Sequence, residues 1–182
     1  TVVHGNTQLL FPGMRRVQEN TIISTKNKSH SVTAEIEVPT SDVKGVIVAQ
    51  GGAMGGWSLY VHEGRLRYCY NLLGVRQFYV SAESPPPAGT HQVRMEFTYD
   101  GGGLGKGGTV TLYVDGKEVG AGRVERTHSF IFALDETTEV GCDVGEPVSP
   151  DYGPRGNAFT GKVHWVQIDI DAAAKDVDHM IA

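Results

Sequence analysis

From Gln92 to Tyr99 the chain alternates without a break: Val93, Met95, Phe97 and Tyr99 are apolar or aromatic, whereas Gln92, Arg94, Glu96 and Thr98 are polar. A two-residue period sends successive side chains to opposite faces of an extended strand, so this segment turns one face to a core and the other to water. A helix would need apolar residues three and four apart, and that periodicity is almost absent here. The alternation returns in Thr109–Val114, where Asp115-Gly116 follows as a type I′ turn signal and Lys117-Glu-Val-Gly resumes the strand. A second hairpin is predicted from Trp57–Val61 through the turn residues Glu63-Gly64 into Arg65–Tyr70. Further strands are predicted at 30–38, 45–49, 77–80, 139–142 and 161–170.

Glycine, at 24 of 182 residues, punctuates these short runs of Val, Ile, Thr, Tyr and Phe. Closely spaced strands with no helices to cover a single sheet point to an all-β fold: two antiparallel sheets packed face to face as a β-sandwich of the jelly-roll kind. Residues 1–171 are predicted to form one such domain, with 172–182 a C-terminal tail or short helix. The glycine run 101–108 superficially resembles a phosphate loop. It joins two antiparallel strands instead of opening a helix, however, and Lys106 is followed by Gly107 instead of Ser or Thr. An exposed connection is expected there.

The formal charge is −5 and spread along the chain, with no basic stripe to collect phosphates, so nucleic acid is not expected as a partner. No run approaches the roughly 18 consecutive apolar residues of a membrane helix, and no membrane partner is expected. Thr1-Val-Val-His-Gly-Asn has neither a charged nor a hydrophobic leader region; the chain reads as cut from a longer polypeptide, its compartment open with a lean to the cytoplasm. The two cysteines, Cys69 and Cys142, are read first as buried thiols and second as one long-range disulfide. Neither has zinc-ligand neighbours.

Val93–Phe97 followed by Leu112-Tyr-Val-Asp-Gly-Lys-Glu-Val119 is similar to the strand pair of concanavalin-A-like and laminin-G-like sandwiches. Four longer segments, 19–39, 51–60, 99–108 and 159–166, together resemble the C-terminal region of large bacterial arylsulfatases, a resemblance running from about residue 9 to about residue 170. That family converts a Cys or Ser within C/S-x-P-x-R to formylglycine and uses calcium in sulfate-ester hydrolysis. Here Cys69 is followed by Tyr-Asn-Leu-Leu and Cys142 by Asp-Val-Gly-Glu, so no catalytic residue carries over. The resemblance implies a non-catalytic accessory domain that packs on the sulfatase domain of the same chain. Such packing would leave an exposed apolar patch, and a second copy of the chain is a further candidate partner.

The alternative is a lectin-like module that targets sulfated glycans. Trp57, Tyr60, Tyr68 and Tyr70 would stack on sugar rings, with Arg67 and its neighbours Arg65 and Arg76 nearby; the competing reading, which strand alternation favours, packs these aromatics in a core. Asp143 and Asp151 flank a Gly/Pro-rich loop, where a structural calcium is the most plausible metal, although turns stabilised by Asx side chains are preferred. No other cofactor is expected. Glu35 and Glu37 share a strand face as paired hydrolase carboxylates do, yet they fit better as the solvated face opposite Val32, Ala34, Ile36 and Val38. Asp169 and Asp171 are read the same way.

Overall fold

The structure, a computed structural model, describes residues 2–13, 17–18, 22–39, 42–128 and 137–170. Among them the strands are β1 (Val2–His4), β2 (Thr7–Leu10), β3 (Val17–Gln18), β4 (His30–Val38), β5 (Gly45–Gly52), β6 (Gly55–His62), β7 (Arg65–Leu72), β8 (Arg76–Ser81), β9 (Gly89–Tyr99), β10 (Lys106–Val114), β11 (Lys117–Arg126), β12 (Thr137–Val140) and β13 (Lys162–Ile170). They form a seven-stranded sheet, β1-β2-β13-β4-β9-β10-β11, and a six-stranded sheet, β3-β12-β5-β6-β7-β8. Within both sheets every strand pairing is antiparallel. No helix occurs among the described residues.

Both hairpins fall where turn chemistry puts them. Val114 pairs with Lys117 and His62 with Arg65, leaving the two-residue loops Asp115-Gly116 and Glu63-Gly64. All four loop residues have positive φ, 50° and 79° in the first loop and 51° and 79° in the second, as a type I′ turn requires. The 101–108 run joins β9 to β10, closed by Asp100 N–H donating to the Gly107 carbonyl at 3.0 Å.

Alternation then builds the core. Val32, Ala34 and Ile36 of β4, Val93, Met95 and Phe97 of β9, and Val110 and Leu112 of β10 face Trp57, Leu59 and Val61 of β6, Leu66, Tyr68 and Tyr70 of β7, and Phe78 and Val80 of β8 in one cluster. Each large side chain removed from water in this way contributes about 1.5–3 kcal/mol. A second, smaller cluster lies on the other face of the six-stranded sheet, where Val46, Ala49, Tyr60 and Cys69 meet Val148 from the 141–161 segment. Cys69 and Cys142 are both buried and form no disulfide, and burial pushes the Cys69 thiol up to about 12.

Two differences from expectation have physical causes. The strand predicted at 139–142 is Thr137–Val140, because Gly141 turns the chain with φ at 84° and gives its N–H to the Ile47 carbonyl. The strands β1, β2 and β3 are too short to show a period, and their pairing partners lie far off in sequence or at the sheet edge. The expected tail 172–182 lies outside the described residues.

Along one side the sheets nearly meet, since Glu83 N–H of the chain leaving β8 donates to the Val119 carbonyl of β11 at 2.8 Å. This approach depends on Gly120, where a Cβ would stand 2.4 Å from the Ser81 carbonyl oxygen. Gly120→Ala is therefore expected to force the two edges apart and lower stability by about 1–3 kcal/mol, read as an earlier urea midpoint. An unchanged midpoint would show that the edge contact tolerates the methyl group.

Candidate functional site

The aromatic residues singled out in the sequence do not make an exposed platform. Trp57, Tyr60, Tyr68 and Tyr70 are all buried, none more than 6% exposed. Trp57, Tyr68 and Tyr70 belong to the inward-facing register of β6 and β7, where Trp57 Nε1–H donates to Gln50 Oε1 at 3.0 Å and stacks on Tyr68. The Tyr70 hydroxyl accepts the His128 N–H at 2.8 Å. These three do line a common cavity together with His30, but it is only about 10 Å³, the room of roughly one water. Packing prevails over ligand stacking because the inward register of β6 and β7 sends these rings into the space between the sheets, which must be filled at near-crystal density.

Tyr60 and Arg67 face the other way, and both are brought to Asp151 by the 141–161 segment. The Tyr60 hydroxyl donates to Asp151 and lies 3.0 Å from the Ser149 hydroxyl, while Arg67 Nη1 is 3.0 Å from Asp151 Oδ2. The Arg67 guanidinium also covers the Tyr79 ring at 4.1 Å, and Tyr152 meets Tyr60 edge-on at 5.2 Å. Asn71 Nδ2–H donates to the Val148 carbonyl, and Asn157 braces both backbone groups of Asp143. The segment thus seals the outer face of the six-stranded sheet with charge-assisted hydrogen bonds over an apolar patch. Of the remaining arginines considered, Arg65 is exposed and Arg76 pairs with Glu125 at 2.9 Å across the sheet edges.

Asp143 and Asp151, the candidate calcium ligands, both have partners within the protein. Asp151 already neutralises Arg67, and a cation beside it would face that guanidinium. Asp143 accepts the Val148 N–H and the Tyr152 hydroxyl on Oδ2, and burial pushes its carboxyl above the ordinary range. Among the described residues no group of three or more His, Cys, Asp and Glu side chains converges as a metal site. Asp143 Oδ1 is buried without a hydrogen-bond partner, and through their other contacts the two aspartates anchor the segment.

The open surface lies on the opposite side of the sandwich. Register places Tyr113, Arg94, Thr33 and Gln167 in one row across β10, β9, β4 and β13, with Gln92, Glu35 and Trp165 in the row beside it. Glu35 and Glu37 stand on this partly exposed outer face, as the alternation predicts. A groove of about 240 Å³ runs between Tyr113, Arg94, Glu96, Gln92 and Thr33. A second, of about 280 Å³, shares Arg94 and Glu96 and reaches Ser31 and Asp169. The alternation in Gln92–Tyr99 showed which side chains point outward, but nothing local distinguished this polar face from an ordinary solvated one.

No protein-family model and no curated protein matches the chain. Solved structures do. Domains LG4-5 of the mouse laminin α1 chain superpose with a TM-score of 0.51 at 19% identity, over 92% of this chain and 39% of that one. The CBM40 of a Ruminococcus gnavus IT-sialidase, bound to α2,3-sialyllactose, gives 0.53 at 11% identity, over 82% of this chain and 81% of that one. A NanB sialidase mutant from Streptococcus pneumoniae gives 0.55 at 13% identity, over 81% and 23%. Identities this low establish the fold alone, a jelly-roll sandwich of the concanavalin-like kind shared with laminin-G-like domains. None of these three is described as an arylsulfatase, so that resemblance keeps only its sequence segments as support.

Two outcomes follow from the buried polar groups. Asp151→Ala leaves Arg67 and the Tyr60 hydroxyl without their shared acceptor, and is expected to cost about 2–3 kcal/mol in urea unfolding, since the pair is only partly buried. A loss under about half a kcal/mol would show that the segment is held by its apolar contacts alone. His30 packs on Phe97 at 5.1 Å, and burial lowers its pKa to about 4. The unfolded chain, with histidine near the usual value of about 6.5, then binds the extra proton between these limits. Stability is full above about pH 6.5 and falls as pH drops toward 4, by about 2 kcal/mol at pH 5, and His30→Gln should flatten that slope.

Proposed function

We propose that this chain is a non-catalytic carbohydrate-binding module whose ligand lies on the outer face of the seven-stranded sheet. The observation that carries this reading is the difference between the two outer faces. One is sealed by the 141–161 segment, and the other presents a groove among Tyr113, Arg94, Glu96, Gln92 and Thr33. An aromatic ring offers sugar C–H groups an apolar face, while guanidinium, carboxylate and amide groups bond adjacent hydroxyls in pairs. The fold supports the reading, since one neighbour of the same architecture is a CBM40 bound to sialyllactose. No C/S-x-P-x-R nucleophile motif is present, in keeping with binding instead of catalysis.

A second reading, packing against a sulfatase domain of the same polypeptide, draws on the arylsulfatase-like segments and on one surface feature. Met54, Leu73 and Val75 are 57%, 41% and 81% exposed at the tips of the β5–β6 and β7–β8 hairpins. The tips adjoin, because a Cβ on Gly74 would lie 2.9 Å from the Ala53 carbonyl oxygen. An apolar knob of this kind suits a docking contact.

A glycan array probed with this chain separates the two. The module reading expects bound oligosaccharides, with affinity falling on the order of tenfold in Tyr113→Ala and unchanged in Val75→Asp. An array with no bound glycan would remove the module reading and leave the packing one.

A further inference from the structure

We propose that the open face takes a neutral oligosaccharide laid across the strands from Tyr113 toward Trp165, and that it rejects sulfated and other polyanionic glycans. This rests on the carbohydrate reading above and names its ligand class. The geometry supplies the direction. Tyr113 on β10 and Trp165 on β13 are separated by β9 and β4, three strand spacings or roughly 14 Å across the sheet, and by one row, roughly 7 Å, along it. Between them the face offers hydrogen-bonding groups in succession: Arg94 and Gln92 on β9, Thr33 and Glu35 on β4, and Gln167 on β13. An extended chain of rings spanning two aromatic ends over a polar floor meets stacking at each end and hydroxyl partners in the middle.

Charge decides the class. Among the described residues each cation of this face is already matched: Arg94 by Glu96, Arg123 by both oxygens of Asp100, and Lys162 by Glu37 at 3.8 Å. The carboxylates run the other way. Glu35 stands in the middle of the path, Glu118 is exposed beside Tyr113, and Asp169 accepts only the neutral donors Thr7 and Gln167. Glu96 and Glu118 together hold the Tyr113 phenol above its usual range, a sign of negative potential at that end. A sulfate or carboxylate on the ligand would meet these oxygens with no uncommitted cation of the face to receive it, whereas neutral hydroxyls donate to them. Of the arginines at 65, 67 and 76 on which a sulfated-glycan target would rest, Arg67 belongs to Asp151 under the sealed face and Arg76 to Glu125, which leaves only the exposed Arg65 to receive a sulfate.

Calorimetric titration of the chain with cellotetraose, xylotetraose and chitotetraose, beside a heparin-derived tetrasaccharide and sialyllactose, tests this. Binding confined to the neutral set, insensitive to salt, is expected. Tyr113→Ala and the exposed, fold-neutral Gln92→Ala should each weaken it, Tyr113→Ala on the order of tenfold. Glu35→Lys is expected to admit the heparin fragment. Preference of the unaltered chain for the heparin fragment or sialyllactose would overturn the charge argument and leave the module reading standing. Neutral binding unmoved by both alanine variants would overturn the placement, and no binding from either set would overturn the module reading itself.

Discussion

Everything else in this molecule depends on the two sheets burying one face each against the other. The gap between packed sheets is about 10 Å, and it must be filled at crystal-like density. Val, Ile and Leu supply most of that volume, and Trp57, Tyr68, Tyr70, Phe78 and Phe97 supply its largest single pieces. Once these rings are committed to the interior they are lost as surface chemistry. The aromatic cluster of β6 and β7 is therefore a structural element, its polar tips met by Gln50 and the His128 backbone.

The six-stranded sheet is then buried a second time. Its outward register carries Tyr60, Cys69 and Ala49, too apolar to be left in water, and the 141–161 segment supplies the cover. What makes that cover specific is electrostatic. Arg67 and Asp151 neutralise each other at 3.0 Å beneath it, and Asn71 and Asn157 satisfy backbone groups that an irregular segment would otherwise leave unpaired. The consequence is a molecule with one closed and one open side. The face proposed for ligand binding is the open side, where acidic groups outnumber the cations that remain after pairing.

The structural neighbours fit this division. Chains only 11–19% identical share the architecture because inward patterning and total core volume suffice to specify it. Outward positions carry no such constraint, and it is there that recognition differs between domains of one fold. For this chain, the two adjacent rows that hold Tyr113 and Trp165 are therefore more informative about ligand than the fold itself.

Much of the architecture was legible in local pattern. Alternation in Gln92–Tyr99 and Thr109–Val114, and the turn pairs Asp115-Gly116 and Glu63-Gly64, determined strands, hairpins and inward residues, because side-chain period and φ preference are properties of neighbouring residues. The same period correctly put Glu35 and Glu37 outside and favoured the core for Trp57, Tyr68 and Tyr70. Local pattern says only that a side chain points to one face or the other, not what lies over that face. Tyr60 and Arg67 alternate like solvent-facing residues, and their burial depends on Asp151, which is 91 residues from Tyr60 in sequence. The placing of Tyr113 and Trp165 on one face likewise exists only after β4 and β9 come between them. Which face is closed, which is open and what lines it were decided by the tertiary structure, because those properties arise from contacts between segments that no local period connects.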